Sequence, residues 1–420
     1  MKNWSGNVEF RDLAYLEPTS LQELQEVIRK NERIRVRGTA HCFNQIADTS
    51  AVAVNLAKMP QIFEVNEQVP SVTVSAGMTY GQLAPRINQA GWALSNLASL
   101  PHISIAGSVA TGTHGSGITN QNLANQILSL HVVLEDGALK KISKGDELFN
   151  PLVVGVGLGA VVYQYEMKIE KSFNIRQVIY EDISRVDLQK DFDSIMSSAY
   201  SVSYFTDWGN LGLGRLWCKF RDSENIPDSI AGSPKASQKH HPIPSVNPEA
   251  CTEQLEVTGP WHERLPHFKL EFMPSVGDEI QSEFFVDIKH AADAISVLET
   301  VASEIYPLLW ICEFRIIAAD DLWLSGAFQR TTAAFHFTWK KTDAIYPLIE
   351  KIETLLSPFA YRPHWGKVFL AKPEYLREVF PKLDEFKKTV IGLDPSQKFS
   401  NGFTQEILNM SPNISGILPS

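Results

Sequence analysis

Residues 99–117 read SLPHISIAGSVATGTHGSG, and from Ser104 onward every residue except Ile105, Val109 and His114 is Gly, Ala, Ser or Thr. A core strand would use bulkier side chains, and a flexible linker rarely carries isoleucine, valine and histidine. Small side chains let the backbone approach a large, flat, phosphate-bearing ligand closely, so the stretch predicts such a binding loop. The alternative is a tightly packed backbone crossing that binds no ligand.

A second loop of small residues lies nearer the N-terminus, in VRGTAHCFN at residues 36–44. The run Arg33–Arg37 alternates charged and apolar residues, as a half-buried strand does, and Gly38 ends it. Small residues after a strand let backbone N–H groups form an anion-binding concavity, and His41 lies within this turn. A β-turn with a solvated histidine is the alternative reading of this segment alone.

The segments around both loops predict short helices and strands in mixed order. Ser20 with Glu23, and Thr79 with Gln82, have the spacing of capping boxes, so a helix should follow each pair. Apolar or alternating runs predict strands at 33–37, 52–54, 72–74, 127–134 and 161–167. This order is typical of an α+β domain of about 170 residues.

The middle of the chain differs in composition. Residues 221–266 are polar and proline-rich, which predicts an irregular surface excursion, sometimes a lid. His240-His241 within it is interpreted as a solvated pair and not a metal site. Strand-like runs follow at 267–272, 283–288, 311–317 and 334–339, with helical stretches between them. They predict a sheet with helices on one face.

Two of these strands each present a polar pair. Residues two apart on a strand share a face, so Glu313 and Arg315 point one way and their apolar neighbours the other. His336 and Thr338 share a face in the same manner. The pairs could line a polar pocket or could form an ordinary solvent face of the sheet.

Composition limits the class of protein. The chain has 420 residues with 38 Lys and Arg against 48 Asp and Glu, a net charge of −10, and 44% apolar residues. There are enough apolar residues for a core, and the length favours two domains. An acidic balance excludes nucleic-acid backbone binding as the main task, because that needs a basic surface.

Cysteine usage and hydropathy indicate the compartment. The four cysteines, Cys42, Cys218, Cys251 and Cys312, are scattered without a CxxC pair or zinc-ligand spacing, so no metal site is predicted. The N-terminus shows no apolar signal segment, and no run reaches the roughly 18 apolar residues of a membrane span. We therefore expect a cytoplasmic, reduced protein, a monomer without a membrane or nucleic-acid partner.

Several phrases together resemble one family of flavoenzymes. Residues 37–44, 99–117 and 155–162 (GVGLGAVV) are similar to the FAD domain of the vanillyl-alcohol oxidase superfamily, in its alditol oxidase and sugar-lactone oxidase branch. The resemblance continues through FTDW, EFR, HFTW, RPHWGK and DPSQKF at 205–208, 313–315, 336–339, 362–367 and 394–399. The phrases EFR and HFTW are most similar to alditol oxidases.

The resemblance implies a two-domain α+β fold of the vanillyl-alcohol oxidase type with FAD as cofactor. It implies an FAD-binding domain at 1–172, a substrate or cap domain with a mixed sheet and helices at 173–375, and a segment at 376–420 that returns to the FAD domain. Residues 36–44 and 104–117 would cradle the FAD pyrophosphate. The histidine matching His41 would bond covalently to the methyl carbon of the isoalloxazine ring.

The resemblance also implies the cofactor contacts. They are Arg37, Gly38, Thr39, Ala40, His41, Cys42, Asn44, Ser99, Ser104, Gly107, Thr111, Thr113, His114, Gly115, Ser116, Val162, His364 and Lys367. Two positions depart from the family pattern, because Ala40 stands where glycine is frequent and Cys42 where serine is usual. Both residues are small, so the loop should keep its form.

Oxidation of an alcohol needs three chemical groups, and the residues of the two polar pairs can supply two of them. Flavin N5 accepts a hydride, a base takes the hydroxyl proton, and a cation stabilises the developing negative charge. We expect Arg315 to hold the reacting hydroxyl and His336 to be the base, with Glu313 as second candidate base or as its orienter. Lys367 would lie near flavin N1. The side chains expected to bind further hydroxyls are Ser99 or Ser104, Glu313 and Thr338.

The expected activity is oxidation of the terminal primary alcohol of alditols such as xylitol and sorbitol, with oxygen reduced to hydrogen peroxide. A related flavoenzyme that acts on a sugar lactone, or that uses another electron acceptor, is the first alternative. A non-enzymatic nucleotide- or carbohydrate-binding protein is the second, and it would contain no flavin.

Overall fold

The structure is a computed structural model that describes residues 1–209, 211–272 and 278–410. The last ten residues of the predicted C-terminal segment lie outside the described residues. Over these ranges, none of the helices combines the length and apolar character needed to cross a bilayer.

The described residues of the N-terminal region contain four α-helices and three sheets, one of which is only the antiparallel pair of Trp92–Ala93 with Glu170–Lys171. Its strands are β1 (Ala14–Leu16), β2 (Ile34–Val36), β3 (Val52–Val54), β4 (Phe63–Asn66), β5 (Ser71–Ser75), β6 (Trp92–Ala93), β7 (Ile127–Val133), β8 (Leu139–Ser143), β9 (Val161–Lys168) and β10 (Glu170–Lys171). Its helices are α1 (Leu21–Lys30), α2 (Tyr80–Gln89), α3 (Ile105–Ala110) and α4 (Phe149–Val153). Strands β1, β3 and β2 form a parallel sheet, and β4, β5, β9, β7 and β8 form an antiparallel one.

Local signals place the first two helices where the sequence predicts them. The Ser20 side chain accepts a hydrogen bond from the Glu23 amide at 3.1 Å, and Leu24 and Ile28 of α1 are fully buried. Thr79 and Gln82 form both bonds of a capping box at the start of α2. Each cap satisfies backbone N–H groups that the first turn leaves without partners, so both predicted helices are confirmed.

In the described residues, the rest of the chain builds a large eight-stranded sheet and a separate two-stranded hairpin. Its strands and neighbouring hairpins are β11 (Asn174–Ser184), β12 (Ser201–Thr206), β13 (Leu213–Arg221), β14 (Ser229–Ile230), β15 (Ser233–Pro234), β16 (Gly259–Pro260), β17 (Glu279–Asp287), β18 (Leu309–Ile317), β19 (Thr332–Lys340) and β20 (Arg362–Pro363). The helices are α5 (Arg185–Lys190), α6 (Phe192–Met196), α7 (Ala291–Glu299), α8 (Ala302–Ile305), α9 (Ile345–Leu356), α10 (Pro373–Val379), α11 (Leu383–Leu393) and α12 (Gly402–Ile407). The antiparallel sheet runs β16-β11-β13-β12-β18-β19-β17-β20.

The two faces of this large sheet differ in chemistry. Phe314 and Phe335 point to one face, where they pack in a single apolar cluster with Ile295 of α7 and Ile349 of α9. Each such buried side chain contributes about 2 kcal/mol, so the helices are held firmly on this face. The predicted sheet with helices on one face is therefore confirmed, and the opposite face is left for polar side chains.

Two interpretations of the proline-rich region and its end are wrong. Residues 267–272 form no strand, and only Phe268 makes a single bridge, to Cys251. His240 and His241 are buried and not solvated, and His240 Nε2 lies 2.8 Å from Glu181 Oε1.

Long-range packing explains both errors. The region folds back over the polar face of the large sheet, where Ala236 and Cys251 pack against Ile179, Phe205 and Trp217. Burying these apolar side chains carries the neighbouring polar ones inside. The excursion is therefore a packed cover over one end of the sheet.

The C-terminal helices pack against the N-terminal region. Phe386 and Val390 of α11 lie in the same apolar cluster as Phe149 and Leu152 of α4. The exact domain boundaries at 172 and 375 stay predictions.

Candidate active site

The two loops of small residues meet. The Ser104 amide donates to Thr39 Oγ1 at 3.2 Å, and a Cβ atom added to Gly38 would lie 2.1 Å from Ser104 Oγ. Asn55 fixes the first loop from behind by donating to the carbonyls of Arg37 and Gly38 at 2.9 and 3.0 Å. A side chain at position 38 would collide with the Ser104 side chain, which is the physical reason for glycine at this point of contact between the loops.

A deep cleft opens where the loops meet the polar face of the large sheet. Its empty space is about 1670 Å³, including the part open to solvent. Ser104 Oγ is buried there without a hydrogen-bond partner among the described residues. A cleft of this size, with a bare backbone wall and an unsatisfied buried hydroxyl, fits the predicted FAD.

Most of the predicted site residues line this cleft. They are Gly38, Thr39, Ala40, His41, Cys42, Ser99, Ser104, Gly107, Thr111, Thr113, His114, Glu313, Arg315, His336, Thr338, His364 and Lys367.

Five predicted cofactor contacts are not brought to the cleft. Arg37 points away and pairs with Asp12 at 2.8 Å, and Asn44 donates to the carbonyls of Trp365 and Lys367. The other three are Gly115, Ser116 and Val162. Gly115 packs against Asn96, the Ser116 hydroxyl lies 2.5 Å from that of Ser201, and Val162 pairs with Val132 in the sheet. These residues hold the cleft's walls together.

His41 is fixed by its neighbours. The Trp4 ring stacks on the imidazole with centroids 5.5 Å apart, and His41 Nδ1 lies 3.0 Å from Thr39 Oγ1. Burial, helped by the nearby His102, lowers the pKa of His41 to about 4. The imidazole is therefore neutral, and its free nitrogen nucleophilic, at neutral pH.

Ala40 occupies a backbone conformation that favours glycine, with φ of 56°. Ala40→Gly would relieve a backbone strain of about 1–2 kcal/mol. The variant would also lose the burial of one methyl group and would have a more flexible unfolded chain, and each of these effects costs roughly 0.8 kcal/mol of stability. We expect Ala40→Gly to leave the thermal unfolding midpoint nearly unchanged. The matched variant Ala53→Gly, in a buried strand position without that strain, should lower it. Equal losses in the two variants would contradict the strain at Ala40.

One row of side chains crosses four strands on the polar face. Phe205, Glu313, His336 and Glu283 are successive partners on β12, β18, β19 and β17. Ala334 stands opposite Arg315 in the next row, and its small side chain leaves room for the guanidinium to reach Glu283 two strands away. The sheet therefore concentrates charged groups at one point.

Glu283 is the anion at the centre of this network, and sequence reasoning missed it. It lies 2.7 Å from Arg315 Nη2, 2.8 Å from Lys367 Nζ and 3.2 Å from His114 Nε2. Burial raises its pKa, but the Lys367 and Arg315 cations outweigh that effect and hold the pKa well below its usual range. Glu279, Gln281 and Glu283 alternate with other residues along one strand, and this spacing could have indicated that Glu283 lies on the polar face.

Glu313 is the second buried anion. His267 Nε2 lies 2.8 Å from its Oε1, and His336 Nδ1 lies 3.6 Å from its Oε2. Although burial raises its pKa, Arg315 and His267 hold that pKa well below the usual range. Arg315 Nε, 3.6 Å from Glu313, is buried and has no hydrogen-bond partner in the part of the chain that the structure describes.

Comparison with known families agrees with this geometry. Residues 13–143 match the family model described as an FAD binding domain, and residues 275–407 match that of D-arabinono-1,4-lactone oxidase. Fold, cleft and matches define an FAD-dependent oxidase that acts on CH–OH groups. The chain belongs to the family of the alditol oxidase of Streptomyces sp. (strain IKD472 / FERM P-14339), with 39% identity over 97% of this chain and 98% of that one.

Other relatives are more distant. The L-gulono-1,4-lactone dehydrogenase of Mycobacterium tuberculosis (strain ATCC 25618 / H37Rv) is 26% identical over 97% of this chain and 98% of its own. A solved structure, of a solvent-stable cholesterol oxidase, superposes with a TM-score of 0.77 at 15% identity over 97% of both chains. That likeness shows the two-domain vanillyl-alcohol oxidase fold. The non-enzymatic alternative is wrong.

Proposed function

We propose that the protein oxidises the terminal primary alcohol of alditols such as xylitol and sorbitol to the aldose and reduces oxygen to hydrogen peroxide. The observation that carries this proposal is the Nε–H of Arg315, which is buried in the cleft near Glu313 and has no hydrogen-bond partner among the described residues. FAD supplies the acceptor for the hydride. The protein's own groups must then bind the polyol and take one proton.

Arg315 is assigned to the reacting oxygen. Its Nη2 is held by Glu283, so the guanidinium keeps a fixed orientation and its free Nε–H can donate to the hydroxyl. The same cation stabilises negative charge on that oxygen as its proton leaves. Ion pairing with both glutamates keeps the pKa of Arg315 raised, against the effect of burial, so the cation persists.

His336 is assigned as the base. The Gln281 amide nitrogen donates to Glu279, so its carbonyl oxygen faces His336 Nε2 at 3.1 Å and accepts that N–H. The lone pair is then on Nδ1, beside Glu313. Burial and the Lys367 cation lower the pKa of His336 to about 4, so the ring is neutral and can accept a proton at neutral pH.

Glu313 is assigned to stabilise the imidazolium that forms when His336 Nδ1 takes the proton, since Nδ1–H then faces Oε2, and to accept hydrogen bonds from substrate hydroxyls. Its strongly lowered pKa keeps it an anion at neutral pH. Thr338 shares the face of His336, and Ser99 lines the same cleft, so both can bind further hydroxyls. Lys367, whose charge is partly balanced by Glu283, is assigned to the flavin ring end of the cleft.

A substrate panel tests the proposal. Purified protein with oxygen should form peroxide with xylitol and sorbitol, and much more slowly with L-gulono-1,4-lactone or D-arabinono-1,4-lactone, because an open polyol offers more donors to the charged face. Absence of peroxide with every alditol would contradict the proposal.

A lactone oxidoreductase is the second candidate. The match of residues 275–407 to the D-arabinono-1,4-lactone oxidase model favours it. Turnover of lactones alone, with oxygen or an artificial electron acceptor, would support this candidate instead.

A further inference from the structure

A buried lysine lies on the polar face of the large sheet, and among the described residues it has no acidic partner. Lys219 of β13 is 1% exposed, and in the described residues no carboxylate oxygen lies within 4 Å of its Nζ. Its ammonium group instead donates to the carbonyls of Leu265 and Pro266, and to His267 Nδ1 at 3.2 Å. Burying an unpaired ammonium is costly, so its retention calls for a function.

Lys219 sets the tautomer of His267. An ammonium group can only donate, so Nδ1 of His267 must be the acceptor and the proton must sit on Nε2. That Nε2–H then donates to Glu313 Oε1 at 2.8 Å. The imidazole cannot turn away, because the rings of Phe205 and Trp217 pack edge-on against it at 5.4 and 5.6 Å.

The backbone of His267 adds a second restraint. Its amide lies 3.2 Å from the carbonyl of Ser99, to which it donates, and Ser99 is one of the residues that line the cleft. The Thr252 hydroxyl donates to the carbonyl of Pro266 at 2.8 Å. The imidazole is therefore fixed by a ring cage, a backbone bond and a lysine donor.

We propose that Lys219 and His267 are positioning residues that hold Glu313 as an oriented anion in the cleft, with its remaining lone pairs turned to the substrate hydroxyls and to the imidazolium that forms at His336. This inference rests on the proposed polyol oxidation. Neither residue touches the reacting atoms in this proposal, because Lys219 acts only through His267 and His267 only through Glu313.

The charges around Glu313 agree with this role. Arg315 on its own strand, His336 on β19 and His267 on the covering segment face it, while Lys219, Glu283 and Lys367 act from farther away. Burial lowers the pKa of His267 to about 4, so the ring stays neutral at neutral pH. Burial also lowers the pKa of Lys219 to about 7, so its ammonium form, which sets the tautomer of His267, is present below that pH. Loss of the His267 donor should raise the pKa of Glu313 and shift the acid limb of kcat/KM to higher pH.

A double-mutant cycle separates this role from a structural one. In Lys219→Met the imidazole is free to move its proton to Nδ1, so kcat/KM for xylitol should fall about 10-fold near pH 6 and recover partly near pH 9. In His267→Gln the amide replaces the Nε2 donor and has no tautomer to set, so the loss should stay within about 3-fold. Adding Lys219→Met to His267→Gln should then change little.

A further variant and two measurements of folding distinguish a positioning role of His267 from a structural one. His267→Leu, which has no donor for Glu313, should lose about 10-fold more than His267→Gln, and this comparison holds even if Lys219→Met does not fold. Flavin spectra and thermal unfolding of each variant report folding. Equal losses from Lys219→Met in both backgrounds, or equal activity of His267→Leu and His267→Gln, would overturn the proposal. A wild-type protein inactive on alditols would instead refute the proposed function.

Discussion

Replacing Arg315 with methionine should lower kcat/KM for xylitol by about 10³-fold, the usual consequence of removing one charge-stabilising group from an active site. In the proposed mechanism the guanidinium donates to the reacting oxygen through Nε. Its Nη2 also binds Glu283 at 2.7 Å. Steady-state kinetics of peroxide formation measure the loss. Methionine fills a similar volume, so the change should isolate the charge and the hydrogen bonds.

Stability requires a matched control for this prediction. Removing one partner of a buried ion pair costs about 3–5 kcal/mol, because Glu283 and Glu313 would be left less compensated. Arg315→Lys keeps the charge, so it should fold well and still lose activity, since an ammonium lacks the fixed fork of donors. Arg377→Met, which removes a solvent-exposed pair with Asp384, should leave both activity and folding unchanged. A flavin-loaded Arg315→Met within 10-fold of wild type would contradict the assigned role.

Local signals made much of the fold predictable. The caps at Ser20 and Thr79 act within one turn of chain, so the starts of α1 and α2 follow from four residues each. Strand alternation likewise places Glu313 and His336 on one side of their strands. These features need no knowledge of distant contacts.

The missed features depend on distant contacts. Glu283 and Lys219 lie in strands buried on both faces, so alternation cannot tell a polar side chain that meets a cavity from one that meets solvent. His240 lies in the proline-rich segment 221–266, and His267 follows that segment directly. Packing against Trp217 and Phe205 sets the burial of this part of the chain. The candidate active site therefore depends on a segment whose composition is typical of a protein surface.

The His41→Ala variant should lose all covalently bound flavin. His41 lines the cleft, is neutral because burial and His102 lower its pKa to about 4, and is held by Trp4 and Thr39. A neutral imidazole nitrogen fixed in this way is a competent nucleophile. Wild-type protein precipitated with acid should stay yellow, whereas the variant should release its flavin to the supernatant.

The matched control is Cys42→Ser, because Cys42 is the neighbouring nucleophile in the same loop. Burial raises the pKa of the Cys42 thiol to about 11, so it stays protonated at neutral pH and is a poor nucleophile there. Serine at this position should therefore leave the covalent flavin intact. Since the backbone cradle of Gly38 and Ser104 remains in His41→Ala, that variant should still bind FAD while folded. Yellow precipitate from His41→Ala, together with its loss in Cys42→Ser, would place the bond on the cysteine and contradict the assignment to His41.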